Sequence, residues 1–500
     1  MNANNIKKDI NSFSRIILFG FRDDFLSKIA NKISDQYVIN FFSWTNDKLE
    51  KSNPNVFEVF ILCKPLLLKR YIYQSYKENE YLAFKQKYLS IQNEFKECKS
   101  YFRKMLKRVF IRKLNEKEIN EYFLNLLFFW YKKLDSNDIK LIIFESTPHF
   151  PWDIIAFFYA KQINIKILIL RRTLISDKII FSDDFRESKT KIIKNYNPRH
   201  NEISIQNAIK NSYWDEYSKK LIKNRLNNNK AKFILITKII HVLKTYLKTI
   251  KNLKNSYYNL NFLSYSYYVF LHFFKQLYLR RIWKKNIISS FTTKNYVIYF
   301  PLHFQPERST DPEAGDYSNQ FKAIEILSKI IPSEWEIWVK EHPRQNPVEY
   351  PNIRRFHYRS NKDYYQLIKL KNVKLLDVDV PSSEILEICK VVASCTGSIL
   401  WEGLLKNKIV IRFGSTWHDN CKSCFYIEEI LKNKNFFDEV LKINKNQITK
   451  DLEEFIFFIS DYVITSSNSD LFAKKSDKSE DILISNFVTF IRSYIDTIKI

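Results

Sequence analysis

The pattern that most constrains this chain is an alternation that runs twice. Short, unbroken apolar runs give way to polar turns and then to amphipathic stretches, and the series stops and restarts. In the first series the runs are RIILFG (15–20), YVINFFSW (37–44), VFEVFILC (56–63), KLIIFES (140–146) and NIKILIL (164–170). A charged helical region over 75–135 and a helix over 153–162 lie between them. In the second the runs are NYVIYFP (295–301), EIWVKEHP (336–343), VKLLDVD (373–379), KVVASC (390–395) and KIVIRFG (408–414), with helices near 317–330, 363–370, 382–388 and 398–406. A strand that is apolar throughout must be covered on both faces, the condition of a parallel sheet flanked by helices. The expected fold is therefore α/β, with two doubly wound domains facing a cleft. Expected boundaries are 1–216 for the first domain, 217–290 for a helical insert, 291–450 for the second domain and 451–500 for C-terminal helices.

Composition narrows the chemistry. Five glycines in 500 residues leave no room for a G-x-G-x-x-G fingerprint or a Walker loop. Six cysteines in so long a chain do not make a disulfide framework. No uncharged apolar stretch reaches the roughly 18 residues of a spanning helix, and MNANNIKKDINSF lacks the apolar core of a secretory signal. A cytoplasmic protein is expected. Net charge is +27, unevenly spread: no acid falls between Glu216 and Glu307, while that window holds 17 Lys and Arg. Within it, Ile236, Ile239, Ile240, Leu243, Tyr246, Leu247, Ile250 and Leu253 recur at helical spacing, with Lys238, Lys244, Lys248 and Lys251 mostly off the stripe. The segment YSYYVFLHFFKQLYLRRIWKK (265–285) is aromatic and ends basic. Such helices suit an anionic membrane surface, although the same helices could pack on the protein and show Lys to water. No nucleic-acid motif accompanies the charge, so no nucleic-acid partner is expected.

In open α/β sheets ligands bind beyond the carboxyl ends of strands. Those ends carry His303, Gln305 and Glu307, then Lys340-Glu341-His342-Pro343, then Cys395-Thr396-Gly397-Ser398 opening a helix that bears Glu402. A glycine turn at a helix N-terminus, hydroxyls beside it and a histidine on a neighbouring strand end make a phosphate site without a P-loop.

The run YFPLHFQPERST, WVKEHP, SSEIL, SCTGSILWEG and IRFGSTWH, over roughly 295–420, resembles the capsule polysaccharide biosynthesis protein family. That family comprises GT-B glycosyltransferases related to bacterial Kdo transferases and, more loosely, to HP-motif sialyltransferases. The resemblance implies a GT-B-like pair of Rossmann-type domains and a nucleotide-sugar donor, often a CMP-sugar. It implies that His342 and Pro343 face the nucleotide phosphate. Thr396, Gly397, Ser398 and Glu402 would hold phosphate and ribose or sugar, and Ser382 and Ser383 would lie near the nucleotide at a helix start. LIIFESTPH in the first half resembles the family's strand-plus-PH segment; the basic insert has no counterpart there.

Inverting transfer also needs a base for the acceptor hydroxyl. Glu145, His149 and Asp153 at the best first-half strand end are the candidates, with Asp23 and Asp24 next. His303, Gln305 and Glu307 are expected at the cleft. No metal and no cofactor are expected: Asp377-Val378-Asp379 reads as a DxD only by spacing, and Cys421 with Cys424 is a lone C-x-x-C. The expected partners are a nucleotide-sugar donor, a glycan or lipid-linked acceptor and an anionic membrane. Two further readings stay open at this point: a polyol-phosphate transferase with a CDP-linked donor, and a non-catalytic lipid- or polyanion-binding subunit.

Overall fold

The computed structural model describes residues 15–21, 23–34, 37–43, 56–58, 64–135, 139–175, 177–186, 192–194, 262–288, 293, 295–345 and 357–498. The stripe 236–253 and its four lysines lie outside them. The chain divides into two compact units, one of Met1–Phe185, Lys191–Ile203 and Phe458–Ile500, the other of Arg186–Thr190 and Ser204–Phe457.

In the first unit β1 (Arg15–Phe19) leads to α1 (Asp24–Ser34), β2 (Val38–Ser43) and β3 (Val56–Glu58). Four helices follow: α2 (Pro65–Ser75), α3 (Glu78–Ile91), α4 (Lys96–Val109) and α5 (Glu116–Asp135). Then come β4 (Ile139–Phe144), α6 (Pro151–Gln162), β5 (Lys166–Arg172) and β6 (Lys178–Ser182). The five expected strands pair in parallel in the order β3-β2-β1-β4-β5, and β6 adds antiparallel to β5. Strand alternation sends Ile16, Leu18, Leu141, Ile143, Leu168 and Leu170 to one face, where α1 supplies Phe25, Leu26 and Ile29. The other face meets the helical region: Phe19 packs at 5.3 Å from Trp130, whose indole N–H donates to Trp152 O at 3.0 Å. Both faces are covered, as continuous apolar strands require.

The second unit opens with α7 (Phe262–Lys285) and β7 (Tyr296–Pro301). It continues with α8 (Gln320–Ile330), β8 (Trp335–Lys340), α9 (Asn361–Lys369), β9 (Val373–Leu376) and α10 (Ser382–Ile388). Next are β10 (Val391–Ser394), α11 (Ser398–Leu405), β11 (Ile409–Arg412), β12 (Cys424–Tyr426), α12 (Ile427–Ile430), α13 (Phe436–Lys442) and α14 (Lys445–Ser460). All pairs are parallel, in the order β9-β8-β7-β10-β11-β12. Numbered from β7 this is 3-2-1-4-5-6, the Rossmann order. Gly403 lets α11 lie close on the sheet, since a Cβ there would meet Val410 Cγ1 at 3.0 Å and Val392 Cγ2 at 3.1 Å. The C-x-x-C pair serves this edge: Cys424 starts β12, and burial pushes the Cys421 thiol up to about 12.

The chain then returns to the first unit. β13 (Ile464–Thr465) pairs antiparallel with β6, followed by α15 (Asp470–Ala473) and α16 (Glu480–Thr497). Leu483, Ile484, Phe487, Val488, Phe490 and Ile491 of α16 join the core under β1 and β4. Phe490 stacks on Phe181 at 4.8 Å. Two doubly wound α/β sheets of Rossmann type are thus present, one in each unit.

Candidate phosphate and base sites

In the second sheet the strand order reverses between β7 and β10, so the segments leaving these strands open a crevice at a topological switch point. His303 leaves β7 there and Thr396-Gly397 leave β10. The backbone N–H of Thr396 can only donate, and it points at His303 Nε2 at 3.3 Å, with Ser394 Oγ 2.9 Å from the same nitrogen. Nε2 is therefore the accepting nitrogen. Nδ1 carries the proton and faces Ser309 Oγ at 3.4 Å. Burial, with the nearby Arg359 charge, lowers the His303 pKa to about 4. His303 is a neutral strut joining two strand ends, not an open cleft residue.

Gly397 sits against this strut. Its φ of −68° suits any residue; space is what demands glycine. A Cβ would stand 2.8 Å from Ser394 Oγ and 3.1 Å from His303 Cε1. α11 opens directly after this close approach, and its N-terminus has no side-chain cap. Among the described residues the amides of Gly397, Ser398 and Ile399 have no acceptor, the arrangement that binds anions at helix N-termini. Thr396 is engaged instead: its amide goes to His303 and its hydroxyl donates to Ser309 O. Ser398 Oγ donates to Glu402 Oε1 at 3.4 Å, one turn along.

His342 supplies the second donor. The Arg344 amide donates to its Nδ1 at 3.1 Å, so the proton lies on Nε2. Burial lowers its pKa to about 3, helped by the positive charges of Arg344, Arg359 and Lys340. At neutral pH it is an uncharged N–H donor, ringed by cations, with Phe304 at 5.5 Å. Lys340 is buried, its ammonium donating to Val380 O at 2.9 Å and Ser382 Oγ at 2.8 Å. Ser382 Oγ also lies 3.0 Å from Tyr299 Oη. Pro343 follows in a turn closed by Gln345 N to His342 O at 2.8 Å. Ser383 is exposed on the first turn of α10, and Glu307 is exposed on a turn.

Sequence reasoning passed over what holds these pieces together. Arg359 and Glu341 are wholly buried and paired bidentately, Nε to Oε2 at 2.8 Å and Nη2 to Oε1 at 3.0 Å. Tyr364 Oη also donates to Glu341 Oε2 at 2.6 Å. Arg359 further donates to Gln305 Oε1 at 2.6 Å and His303 O at 2.9 Å, and Glu341 Oε1 accepts the His342 amide at 2.7 Å. One ion pair thus fixes the segments after β7 and β8. It also accounts for Gln305, whose side chain is spent between Arg359 and Ser318 O and is closed to a cleft. The only advance signal was Arg359 directly before Ser360, which with Asp363 forms a capping box. A second unforeseen cluster involves α11 itself: the indole N–H groups of Trp401 and Trp417 and both ring nitrogens of His418 are buried and, among the described residues, have no hydrogen-bond partner. Burial, then the Arg412 charge, lowers the His418 pKa to about 3.

The first sheet has its own switch point, between β1 and β4. Gly20 follows β1 with φ +82°, and a Cβ there would fall 2.3 Å from Glu145 Cγ. Glu145 therefore lies across a glycine that nothing else can replace. Two residues on, Thr147 O accepts from His149 Nδ1 at 2.8 Å, making Nε2 the basic nitrogen. Phe150 packs on the ring at 4.6 Å, and Asp153 sits on the first turn of α6. Asp23 is committed elsewhere: its carboxylate accepts the amides of Leu26 at 2.9 Å and Asp470 at 3.1 Å, while Asp470 Oδ1 accepts the Phe25 amide at 2.6 Å. This reciprocal capping removes it from the list of bases. Asp377 and Asp379 form a turn, the Asp379 amide on Asp377 Oδ1 at 3.0 Å. No metal-ligating cluster occurs among the described residues.

No family model matches the chain, that of the capsule polysaccharide proteins included, and no curated protein matches it. Solved structures give distant likenesses. One is a beta Kdo 2,7 transferase, KpsC of Thermosulfurimonas dismutans, 11% identical over 75% of this chain and 90% of that one, TM-score 0.29. Another is a glycosyltransferase of Rickettsia africae ESF-5, 11% identical over 98% and 99%, TM-score 0.26. A third is a UDP-GlcNAc 2-epimerase of Neisseria meningitidis bound to UDP-GlcNAc, 12% identical over 97% and 100%, TM-score 0.22.

Proposed function

We propose that the chain is a glycosyltransferase of surface-polysaccharide synthesis that takes a sugar from a nucleotide-activated donor, a CMP-sugar first among them. The acceptor is a glycan or a lipid-linked glycan at the inner face of the cytoplasmic membrane. The observation that supports this reading is an uncapped helix N-terminus at a Rossmann switch point, with a neutral imidazole donor, His342, just past β8 of the same sheet. Nε2–H of His342 and the amides of Gly397, Ser398 and Ile399 suit the phosphate of a leaving nucleotide. As the glycosidic bond breaks, charge grows on that phosphate, and donors already fixed in place stabilise it without reorganising. This assigns to side chains and backbone the charge stabilisation that other transferases draw from a metal. Glu402 and Ser398 suit ribose or sugar hydroxyls. In the first unit Glu145, His149 and Asp153 are the groups that could take the acceptor proton.

The test is thermal unfolding with CMP, CDP, UDP and GDP. A ligand at about 100 Kd stabilises by about 2.7 kcal/mol, and His342→Ala should abolish the shift without lowering the ligand-free transition. Retention of the full shift by His342→Ala rejects the site. A shift with CDP alone would favour a polyol-phosphate donor.

A further inference from the structure

Helix α7 has two apolar faces, and only one is used. Tyr265, His272, Gln276, Leu279 and Trp283 form the buried stripe, with Leu279, Ile282 and Trp283 in the core of the second unit. Trp283 Nε1 donates to Leu376 O at 2.9 Å, which fixes the helix against β9. The opposite stripe is Leu263, Tyr267, Phe270, Phe274 and Tyr278, between 46% and 75% exposed, with Phe262 and Phe273 exposed beside it. These seven are among only 20 exposed large apolar residues in the described part of the chain, so the patch is a concentration and not scatter. Tyr365 of α9 extends it, 3.1 Å from Tyr278. At about 100° per residue the stripe runs on into Arg281 and Lys285, with Arg280 and Lys284 flanking, all four exposed. The helix contains no acid.

We infer that this outward face of α7 lies in the interfacial layer of an anionic bilayer. The basic end has no acid on its own helix, and the neighbouring sequence from 217 to 306 has none either, so the face carries uncompensated positive charge that complements an anionic surface. Tyr and Phe suit the headgroup boundary, and Arg and Lys suit phosphates just above it. No described helix is long and apolar enough to cross a membrane, so the helix lies along the surface, about 36 Å of it at 1.5 Å per residue. The inference deepens the membrane-face part of the reading above and does not depend on sugar transfer.

The experiment is co-sedimentation of the full chain with vesicles of phosphatidylcholine alone or mixed equally with phosphatidylglycerol. Wild type should bind the mixed vesicles and release in high salt. Tyr267→Ser/Phe270→Ser/Phe274→Ser should weaken binding by roughly a hundredfold, and Arg281→Gln/Lys285→Gln by about tenfold or more, with a shallower salt dependence. Both should keep the nucleotide-induced thermal shift, or the wild-type transition where no nucleotide gives one, which shows them folded. Binding by both variants equal to wild type overturns the inference. So does a wild-type dimer in light scattering that the triple variant dissolves without any vesicle binding, since the face would then meet a second copy. A fall in the triple variant's melting temperature without wild-type vesicle binding overturns it too, by showing the face covered within the chain. Absence of any nucleotide response with vesicle binding intact would sink the transferase reading and leave this surface standing.

Discussion

The two switch points are built alike and furnished oppositely. Each places one of the chain's five glycines at a strand end, pressed against a side chain from the segment after the adjoining central strand: Gly20 under Glu145, Gly397 under His303. In the first unit the glycine is required twice over, by a positive φ and by a 2.3 Å approach. In the second it is required by approach alone. The side chains around the two glycines differ in charge. The segment after β4 carries a carboxylate, Glu145, an imidazole, His149, and then Asp153 at the start of α6. The second crevice gathers imidazole and amide donors behind a buried arginine. On the proposed reading the first would accept a proton and the second would hold an anion, one topology put to two uses by the residues just past the strands.

The largest effect should come from the first crevice. Among Glu145→Ala, His149→Ala and Asp153→Ala, at least one should lower the transfer rate about 10²–10⁴-fold, the size of general-base loss, while its donor-induced thermal shift stays at the wild-type value. Steady-state rates for the three variants decide it; near-normal rates in all would make the first crevice a binding surface only, and Asp24 the next group to test.

The next effect should come from the strut of the second crevice. Arg359→Ala leaves Glu341 charged and buried without its partner, which typically costs about 3–5 kcal/mol. Denaturant unfolding should show it. Arg359→Ala with Glu341→Gln should recover part of the loss, because no unpaired charge remains. Equal loss in both would make packing, not charge, the reason for the pair.

A further predicted effect is a pH dependence carried by three buried histidines of the second unit. His303, His342 and His418 have folded pKa values of about 4, 3 and 3, below the unfolded value of about 6.5. Between those limits the unfolded chain binds more protons, so stability falls as pH drops from about 6.5 toward 4, by up to about 1.4 kcal/mol per pH unit per histidine. Above about 6.5 both states are neutral and the dependence vanishes. Thermal unfolding from pH 7.5 to 5 checks the sign. A bound nucleotide should flatten the slope, since an anion beside His342 raises its pKa.

The strands were legible because each is apolar on both faces, and strand ends then pointed to His342, Gly397 and Glu145 without further help. β6 and β13 were not, because β13 has two residues and pairs across nearly 300 positions; no local pattern announces such a partner. Arg359 was missed for a related reason. A buried ion pair looks, in sequence, like two ordinary surface charges, and Glu341 sat beside a histidine that drew attention first. Gln305 and Asp23 were misread in the opposite sense: polar residues at strand ends need not face a ligand when a neighbour's backbone or guanidinium already occupies them.

The return of the chain end to the first sheet has a consequence for synthesis. β1 and β4 lie over Phe487, Phe490 and Ile491, and β6 waits for β13. A ribosome that has delivered 457 residues has therefore released every strand of the second sheet, but the first still lacks α16 and an edge. The unit that begins first is completed last. Until residues 458–498 emerge, the apolar surface on Leu18, Leu26, Ile143 and Phe181 lacks the cover that α16 gives it, and this is the interval in which the nascent chain is most open to misassembly and most dependent on chaperones.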